Sequence, residues 1–178
     1  MARINRWLER VLEAWLIFLI TALTLIVVAA VIARRGGGSF IWYDEVASIM
    51  LAWITYFGAS LAALKRAHIG FDGLLLSLPL NVRLAAVWFG EFVVIAFFVL
   101  LAYSGWMLMQ VLQGMNMISL PWVSLAFTQS VIPVSSLLFI LCQVLSIPAY
   151  MRRVKEGVSH DDLEIENALR TNEGNAKP

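Results

Sequence analysis

Glu91 is the residue of this sequence best placed to do chemistry inside a membrane. It lies deep within an apolar stretch, eight residues or about 12 Å along a helix from Arg83. A carboxylate in lipid is costly unless it is paired, hydrated or protonated. Glu91 therefore either couples proton or cation movement in a self-sufficient small exporter, or pairs with a base near the inner surface or on a partner subunit. The second interpretation is favoured, because a coupling site needs polar neighbours and those of Glu91 are apolar: Val87, Trp88, Val94, Ile95 and Phe98.

His68 and Asp72 are a second candidate, because a spacing of four places them on one face of a helical turn. As the catalytic pair of a membrane enzyme they lack a nucleophile. A cluster of charges at the inner surface, together with Lys65 and Arg66, is the favoured interpretation. We therefore do not expect an enzyme.

The sequence contains no pattern for a cofactor or a metal ion. Its single cysteine, Cys142, has no second cysteine with which to form a disulfide or a metal site. A bis-histidine haem is excluded by count, since the other histidine, His160, lies in the polar C-terminal segment. The glycines at 36–38 lack the strand and helix that flank a phosphate-binding loop. We expect no cofactor, no metal and no nucleic-acid partner.

The elements that must position these residues are membrane-spanning helices. Apolar residues make up 61% of the chain and charged residues 14%, which leaves too little polar surface for a soluble domain. Each spanning segment must be helical, because backbone groups in lipid need internal hydrogen bonds and four segments cannot close a barrel. The predicted fold class is an all-α integral membrane protein with four transmembrane helices. Four stretches are long enough to cross a hydrocarbon core of ~30 Å: residues 14–33, 46–64, 87–109 and 128–150.

Two segments flank the predicted membrane domain of residues 14–151. Residues 1–13 place apolar side chains on one helical face and polar ones, including Arg6 and Arg10, on the other. This amphipathic spacing predicts a helix that lies at the membrane interface in contact with lipids. Residues 152–178 are polar, and they are predicted to form a short cytoplasmic tail.

The distribution of basic residues predicts the orientation of the chain. Eleven lysines and arginines lie before the first span, between the second and third, or after the last, whereas two lie in the first and third connections. Because basic residues concentrate on the cytoplasmic side of a membrane, both termini and the second connection are predicted to be cytoplasmic. Within the fourth span, Pro133 predicts a kink, since the carbonyl of Gln129 loses its usual donor.

The second span carries a stripe of mostly small or polar residues at steps of three and four. Small and hydroxyl residues let membrane helices approach closely and bond to each other. We call this set the α2 stripe, where α2 denotes the second spanning helix, predicted at residues 46–64. We predict that it docks against another helix, either within this chain or in a partner protein. Bulky apolar residues occupy the opposite side of the helix: Met50, Ile54, Phe57, Leu61 and Leu64. The stripe itself consists of Glu45, Ser48, Ala52, Thr55, Ala59, Ala62 and Arg66.

The third connection, residues 113–127, contains no charged residue. An uncharged segment of this length is poorly suited to free solvent, so it either enters the interface or is covered by a partner protein. We expect it to contact a partner on the outer side of the membrane. The residues singled out for that contact are Ser119, Pro121, Trp122 and Ser124.

Four short motifs in a fixed order carry a resemblance to a known family. They are Trp-Tyr-Asp-Glu at 42–45, Phe-Gly-Ala at 57–59, Lys-Arg-Ala-His-Ile-Gly-Phe-Asp at 65–72 and Leu-Pro at 78–79. With four spans and this length, the chain resembles the small permease subunit, DctQ type, of tripartite ATP-independent periplasmic (TRAP) transporters. The resemblance is close over residues 42–83 and loose over 11–153. The residues that match the family motifs are Trp42, Asp44, Glu45, Arg66, His68 and Asp72.

This resemblance implies a multi-pass subunit of the bacterial inner membrane. It implies two partners, a large permease subunit and a periplasmic substrate-binding protein, and an import driven by an ion gradient, usually sodium. Substrates of such systems are organic acids such as dicarboxylates, keto acids and sialic acid, and their sites lie in the large subunit. The role implied for this chain is structural, in scaffolding and docking. An exporter using Glu91 and a membrane enzyme using His68 and Asp72 are the alternatives.

Overall fold

The computed structural model describes residues 2–38, 42–66 and 79–156. In these ranges the chain forms four long helices and one short one, and no strand beyond an isolated antiparallel bridge between Asn116 and Ser124. The predicted pair His68 and Asp72 lies outside the described residues, as do the tail residues from 157 onward. The helices are α1 (Ala2–Arg35), α2 (Tyr43–Lys65), α3 (Leu80–Val111), α4 (Leu125–Gln129) and α5 (Val131–Glu156).

Four helical segments are long and apolar enough to cross a membrane, which confirms the predicted all-helical class with four candidate spans. α3 begins at Leu80 rather than at the predicted residue 87. Pro79 precedes it in an extended conformation, and a proline suits the start of a helix because its missing N–H needs no partner there. The four segments are Asn5–Arg35, Tyr43–Lys65, Leu80–Val111 and Leu125–Arg152.

α5 is the central helix of the described structure. It packs against both α2 and α3, while α1 packs against α2. In the apolar part of the α4–α5 segment 44% of the residues are buried, against 11% in each of the other three spans. The core lies where α1, α2 and α5 meet, and Phe98 of α3 stacks on Phe139 there with ring centroids 3.6 Å apart. The core cluster consists of Leu12, Ala63, Phe139 and Cys142.

Small side chains set the spacing of the helices around α5. The buried hydroxyl of Ser60 on α2 donates to its own helix at Tyr56 and lies 3.2 Å from the carbonyl oxygen of Ser135 on α5. Gly105 of α3 lies so close to α5 that an added Cβ would be 2.8 Å from the Cδ of Pro133. These contacts bring backbones together, which is how membrane helices gain packing energy in the absence of a hydrophobic driving force.

Pro133 lies in the first turn of α5 and not inside a continuous fourth span. α4 ends at Gln129, Ser130 forms a turn, and α5 begins at Val131. The predicted disruption at Gln129 therefore takes the form of a break between two helices. In the first turn of a helix a proline removes no intrahelical hydrogen bond, because that N–H has no partner in any case.

α1 is a single helix from Ala2 to Arg35. Its N-terminal part packs along the end of α2, where Leu8 joins the core cluster and Lys65 pairs with Glu9 at 3.3 Å and with Glu13. These contacts hold α1 and α2 together within residues 1–13, the segment predicted to lie at the membrane interface. The interfacial position of that segment stays a prediction.

Candidate functional site

Arg66 follows the last residue of α2 and has an unusual backbone conformation. Its φ of 54° and ψ of 31° are left-handed, and its N–H bonds to the carbonyl of Ala63 at 3.3 Å. A left-handed conformation costs a residue with a Cβ roughly 1–2 kcal/mol. Such strain persists only where the surroundings impose it. Here the surroundings are the polar contacts of the guanidinium with α3 and α5.

The guanidinium of Arg66 bonds to both neighbouring helices. Its Nε donates to the hydroxyl of Ser146 at 2.7 Å and one terminal nitrogen donates to the carbonyl of Gln143 at 3.3 Å, both on α5. It also lies over the ring of Tyr150, 4.6 Å from the centroid. The other terminal nitrogen forms an ion pair with Glu91 on α3. Arg66, directly after the last residue of α2, therefore joins α2 to α3 and α5.

Glu91 uses both of its carboxylate oxygens in this cluster. One oxygen pairs with Arg66, and the other accepts a hydrogen bond from the side-chain amide of Gln143 at 2.9 Å. Glu91 and Gln143 are each 5% exposed. A buried pair of opposite charges is tolerated when hydrogen bonds satisfy the remaining atoms. Arg66, Glu91, Gln143 and Ser146 are called the polar clasp below.

The tryptophans of α3 indicate the depth of the polar clasp. Trp88 and Trp106 are both exposed on α3 and are eighteen residues apart, which corresponds to about 27 Å along a helix. Tryptophan concentrates at the two boundaries of a hydrocarbon layer of ~30 Å. Glu91 is three residues from Trp88, or about 4.5 Å. This spacing predicts that the clasp lies near one boundary of the apolar layer and not at its centre.

The α2 stripe is divided in the structure. Its two ends, Glu45 and Arg66, bond within the chain. Between them Ser48 and Thr55 are exposed, and their hydroxyls donate to carbonyls of their own helix at 2.8 and 2.9 Å. The three alanines are half-buried, and Ala59 packs against the core cluster. The exposed part of the stripe is the segment around Ser48 and Thr55.

The bulky side of α2 packs inside the chain. Phe57, Leu61 and Leu64 all contact the core cluster, and the ring of Phe57 lies edge-on to Trp15 of α1 with centroids 6.3 Å apart. α2 is therefore flanked by α1 and α5 on its bulky side, and Ser48 and Thr55 are the residues of the α2 stripe that these helices leave exposed.

At the opposite end of α2, Glu45 contacts the connection between α3 and α4. One of its carboxylate oxygens accepts a hydrogen bond from the backbone N–H of Ser119 at 3.0 Å. We call residues 112–124 the outer turn, after the side of the membrane that the distribution of basic residues predicts for them. Met117 is buried within it and bonds through its N–H to the carbonyl of Val123 at 3.0 Å. Ile118 is 94% exposed.

The other residues predicted for this connection differ in exposure. Trp122 is 80% exposed, and Pro121 is exposed beside it. Ser119 and Ser124 are half-buried. Ser124 precedes the first residue of α4 in an extended conformation, where a helix N-cap is expected. The most exposed apolar side chains of the outer turn are therefore Ile118 and Trp122, followed by Met115, and the serines contribute little to this surface.

The motif residues at the start of α2 separate into two kinds. Glu45 bonds to the outer turn, whereas the side chain of Asp44 is exposed. Trp42 is half-buried just before the helix. The two acids are adjacent in sequence, so their different environments come from the direction in which the helix presents each side chain.

The partners of Arg66 on α5, which are Gln143, Ser146 and Tyr150, were not predicted from the sequence. The sequence did contain a signal for a polar face on α5. The stretch from Met109 to Met151 contains no charged residue, yet Ser136, Gln143 and Ser146 lie within it at steps of seven and three. Polar residues at helical spacing in an apolar span mark an interior face. Within the described ranges no three side chains of the metal-binding types cluster.

Comparison with known proteins identifies one protein family. The family model described as "Tripartite ATP-independent periplasmic transporters, DctQ component" matches residues 23–152. The matched range includes the last 13 residues of α1, all of α2, α3 and α4, and α5 as far as Arg152. No curated protein matches the chain.

Proposed function

Since the chain belongs to the DctQ component family of TRAP transporters, we propose that it scaffolds the large permease subunit of an importer that takes up an organic acid. The acid is a dicarboxylate, a keto acid or a sialic acid, and a sodium gradient drives its uptake. The substrate and ion sites are in the large subunit. A periplasmic substrate-binding protein is the third component. Membership of a family of transporter subunits makes this chain a transport component and not an enzyme.

The observation that carries the scaffold role is the engagement of Glu91. A coupling carboxylate has to exchange its partner for a proton or cation during transport. Both oxygens of Glu91 are occupied by Arg66 and Gln143, and the side chain is buried. This arrangement supports a structural role and disfavours a self-sufficient exporter that uses Glu91.

The proposed surface for the large subunit is the exposed part of the α2 stripe. Ser48 and Thr55 are exposed there with half-buried Ala52 between them, and small residues allow a second helix to approach closely. α3 instead exposes large apolar and aromatic side chains, which suit contact with lipid. The exposed aromatic residues of α3 are Trp88, Phe89, Phe92, Phe97, Tyr103 and Trp106.

Replacing Ser48 or Thr55 with leucine is expected to reduce recovery of the large subunit about tenfold when this chain is purified by an affinity tag. The added bulk would separate the two proteins, and overpacking costs about 1–3 kcal/mol, of which 1.4 kcal/mol corresponds to tenfold. Ser104→Leu is the matched control, because Ser104 is an exposed serine of α3. It should leave recovery unchanged.

A variant on the bulky side of α2 such as Leu61→Ala would disturb the fold of the chain itself, since Leu61 packs against the core cluster. Loss of recovery with Ser104→Leu and normal recovery with Ser48→Leu would move the interface to α3. Uptake by the purified chain alone in liposomes would contradict the scaffold role and favour the exporter.

We propose that the outer turn contacts the substrate-binding protein. The turn lies at the end of α2 opposite to Arg66, and it combines an exposed apolar surface with an absence of charge. A crosslinking experiment can test this contact. Crosslinkers placed at Ile118 or Trp122 should capture the binding protein more readily than crosslinkers at Ser119, because Ser119 is bonded to Glu45.

Both termini are proposed to be cytoplasmic, as the eleven to two distribution of basic residues indicates. Reporter enzymes fused at Gly36, in the first connection, and after Arg153 should report opposite sides of the membrane. In this orientation the polar clasp is at the cytoplasmic boundary and the outer turn is periplasmic. Reports from the same side at both positions would contradict the proposed number of spans.

A further inference from the structure

We propose that Glu45 is a positioning residue that holds the outer turn in the orientation in which Ile118 and Trp122 meet the substrate-binding protein. The inference rests on the contact proposed above between that protein and the outer turn. The orientation of the turn is held by the carboxylate of Glu45, which belongs to α2, whereas the turn itself connects α3 and α4.

The hydrogen bond from Ser119 to Glu45 joins the turn to α2. The turn is continuous with α3 at one end and α4 at the other, and it is closed internally by bonds such as that from the N–H of Leu125 to the carbonyl of Met115 at 2.9 Å. The bond to Glu45, at 3.0 Å, attaches its tip to a third helix. Hydrogen bonds to an ionised acceptor are stronger than those between neutral groups.

The attachment point is next to the exposed apolar side chains. Ser119 directly follows Ile118, which is 94% exposed, and Trp122 is three residues further along and 80% exposed. Met117, directly before Ile118, is buried. The tip is thus held on one side by a buried methionine and on the other by Glu45. Between these two attachments Ile118 projects away from the protein.

The position of Glu45 along α2 favours a protein over lipid as the partner. Glu45 and Arg66 are twenty-one residues apart, or about 32 Å along a helix. This separation equals the thickness of a hydrocarbon layer of ~30 Å, and Arg66 already lies near the other boundary. The carboxylate and the turn that it holds are therefore at or beyond the outer boundary, where a water-soluble binding protein can reach Ile118 and Trp122.

Loss of the bond between Ser119 and Glu45 is expected to weaken binding of the substrate-binding protein and to leave assembly with the large subunit unchanged. A turn that samples several orientations must be ordered when the partner binds, which lowers affinity. We expect Glu45→Ala to raise the half-saturating concentration of the binding protein roughly three- to tenfold, in keeping with the net loss of one hydrogen bond at a solvent-accessible carboxylate. Recovery of the large subunit should not change.

The experiment uses the assembled complex in lipid nanodiscs with the substrate-binding protein of the same transporter as the probe. A spin label on Ile118→Cys measures the motion of the turn, and a photocrosslinker at the same position measures capture of the binding protein as its concentration is raised. Native Cys142 is fully buried, so a polar thiol reagent labels the introduced cysteine. Glu45→Ala should increase label motion and weaken capture.

Two variants serve as controls for the positioning role. Glu45→Gln retains an oxygen that can accept the hydrogen bond from Ser119. Label motion and capture in this variant should therefore stay near the values measured with native Glu45. Asp44→Ala removes the neighbouring exposed acid and should change neither. If Glu45→Ala prevents assembly, Ser119→Pro is the second variant, because it removes the donor N–H and should also mobilise the label.

The outcomes separate this inference from the proposed function. Unchanged label motion in Glu45→Ala, or equal loss in Glu45→Ala and Glu45→Gln, overturns the positioning role. Increased motion with undiminished capture also overturns it, because contact at Ile118 would then not depend on the orientation of the turn. Absence of capture in the complex with native Glu45 would instead contradict the proposed contact with the binding protein. Collision of the label with lipid-soluble relaxing agents, unaffected by the binding protein, would make lipid the partner of the turn.

Discussion

Replacing Arg66 with methionine is expected to destabilise the folded chain by about 3–5 kcal/mol, the usual cost of removing one partner from a buried ion pair. Arg66 is the cation that neutralises Glu91, which is 5% exposed. Methionine retains an unbranched apolar side chain. The loss of stability therefore comes from the missing charge and hydrogen bonds more than from the reduced side-chain volume. The measurement is reversible unfolding of the purified chain in mixed micelles.

The double variant Arg66→Met with Glu91→Gln tests whether the cost comes from the unpaired charge. It leaves no buried charge at the pair, and the glutamine retains an oxygen that can accept from the amide of Gln143. We expect it to recover at least half of the stability lost in Arg66→Met. Equal stability of the single and double variants would mean that the Glu91 carboxylate is hydrated in solution and not paired.

Glu91→Gln alone separates stability from coupling. The variant should assemble less well, because Arg66 loses its carboxylate partner. Per assembled complex, however, we expect substantial ion-coupled uptake, since the proposed coupling site is in the large subunit. Complete loss of uptake in complexes that assemble normally would make Glu91 the coupling residue and would contradict the structural role.

Gly105→Ala is expected to destabilise the chain by about 1–3 kcal/mol, the usual cost of overpacking. The new Cβ would lie 2.8 Å from the Cγ2 of Ile132 and from the Cδ of Pro133, and 3.0 Å from the backbone nitrogen of Pro133. The side chain of Ile132 can rotate away, but the proline ring and its backbone cannot. α3 and α5 would therefore have to separate at this level.

Gly90→Ala on the same helix is the matched control. A Cβ added at Gly90 meets nothing within 4 Å, and alanine is favoured over glycine in a helix by about 0.5–1 kcal/mol. The two substitutions should thus shift the unfolding midpoint in opposite directions. Equal shifts of the same sign would show that the approach of Gly105 to Pro133 is absent in solution.

The polar clasp and the glycine contact act on the same pair of helices at different depths. The clasp ties α3 to α5 near Trp88, and Gly105 packs against Pro133 next to Trp106 at the other end of α3. A helix attached at both ends is held in a defined orientation. Such rigidity suits a subunit whose proposed role is to support a partner.

The sequence alone determined the class of this protein, because hydropathy is a local property. A run of about 20 apolar residues has to be a spanning helix wherever it packs, and all four predicted spans are found in the structure. The motifs from Trp42 to Pro79 were also sufficient to identify the family, since their order and spacing need no knowledge of contacts. The presence of one carboxylate in an apolar span indicated that Glu91 needs a partner.

The identity of that partner was decided only by the tertiary structure. Arg83 is the base closest to Glu91 along the chain, but it lies about 12 Å down the same helix, and its guanidinium bonds to the carbonyl of Val154 at 3.1 Å. Arg66 is twenty-five residues away in sequence. It reaches Glu91 because α2 and α3 both pack against α5, which places the end of α2 beside the carboxylate.

The tertiary structure also decided which side of α2 faces the core and what holds the outer turn. Spacing separated the small residues from the bulky ones, but both kinds of surface can pack against a helix, so only the positions of α1 and α5 showed that the bulky side faces the core. The bond from Ser119 to Glu45 joins residues seventy-four apart. Contacts of this kind depend on the path of the chain between the helices, and neither periodicity nor composition encodes that path.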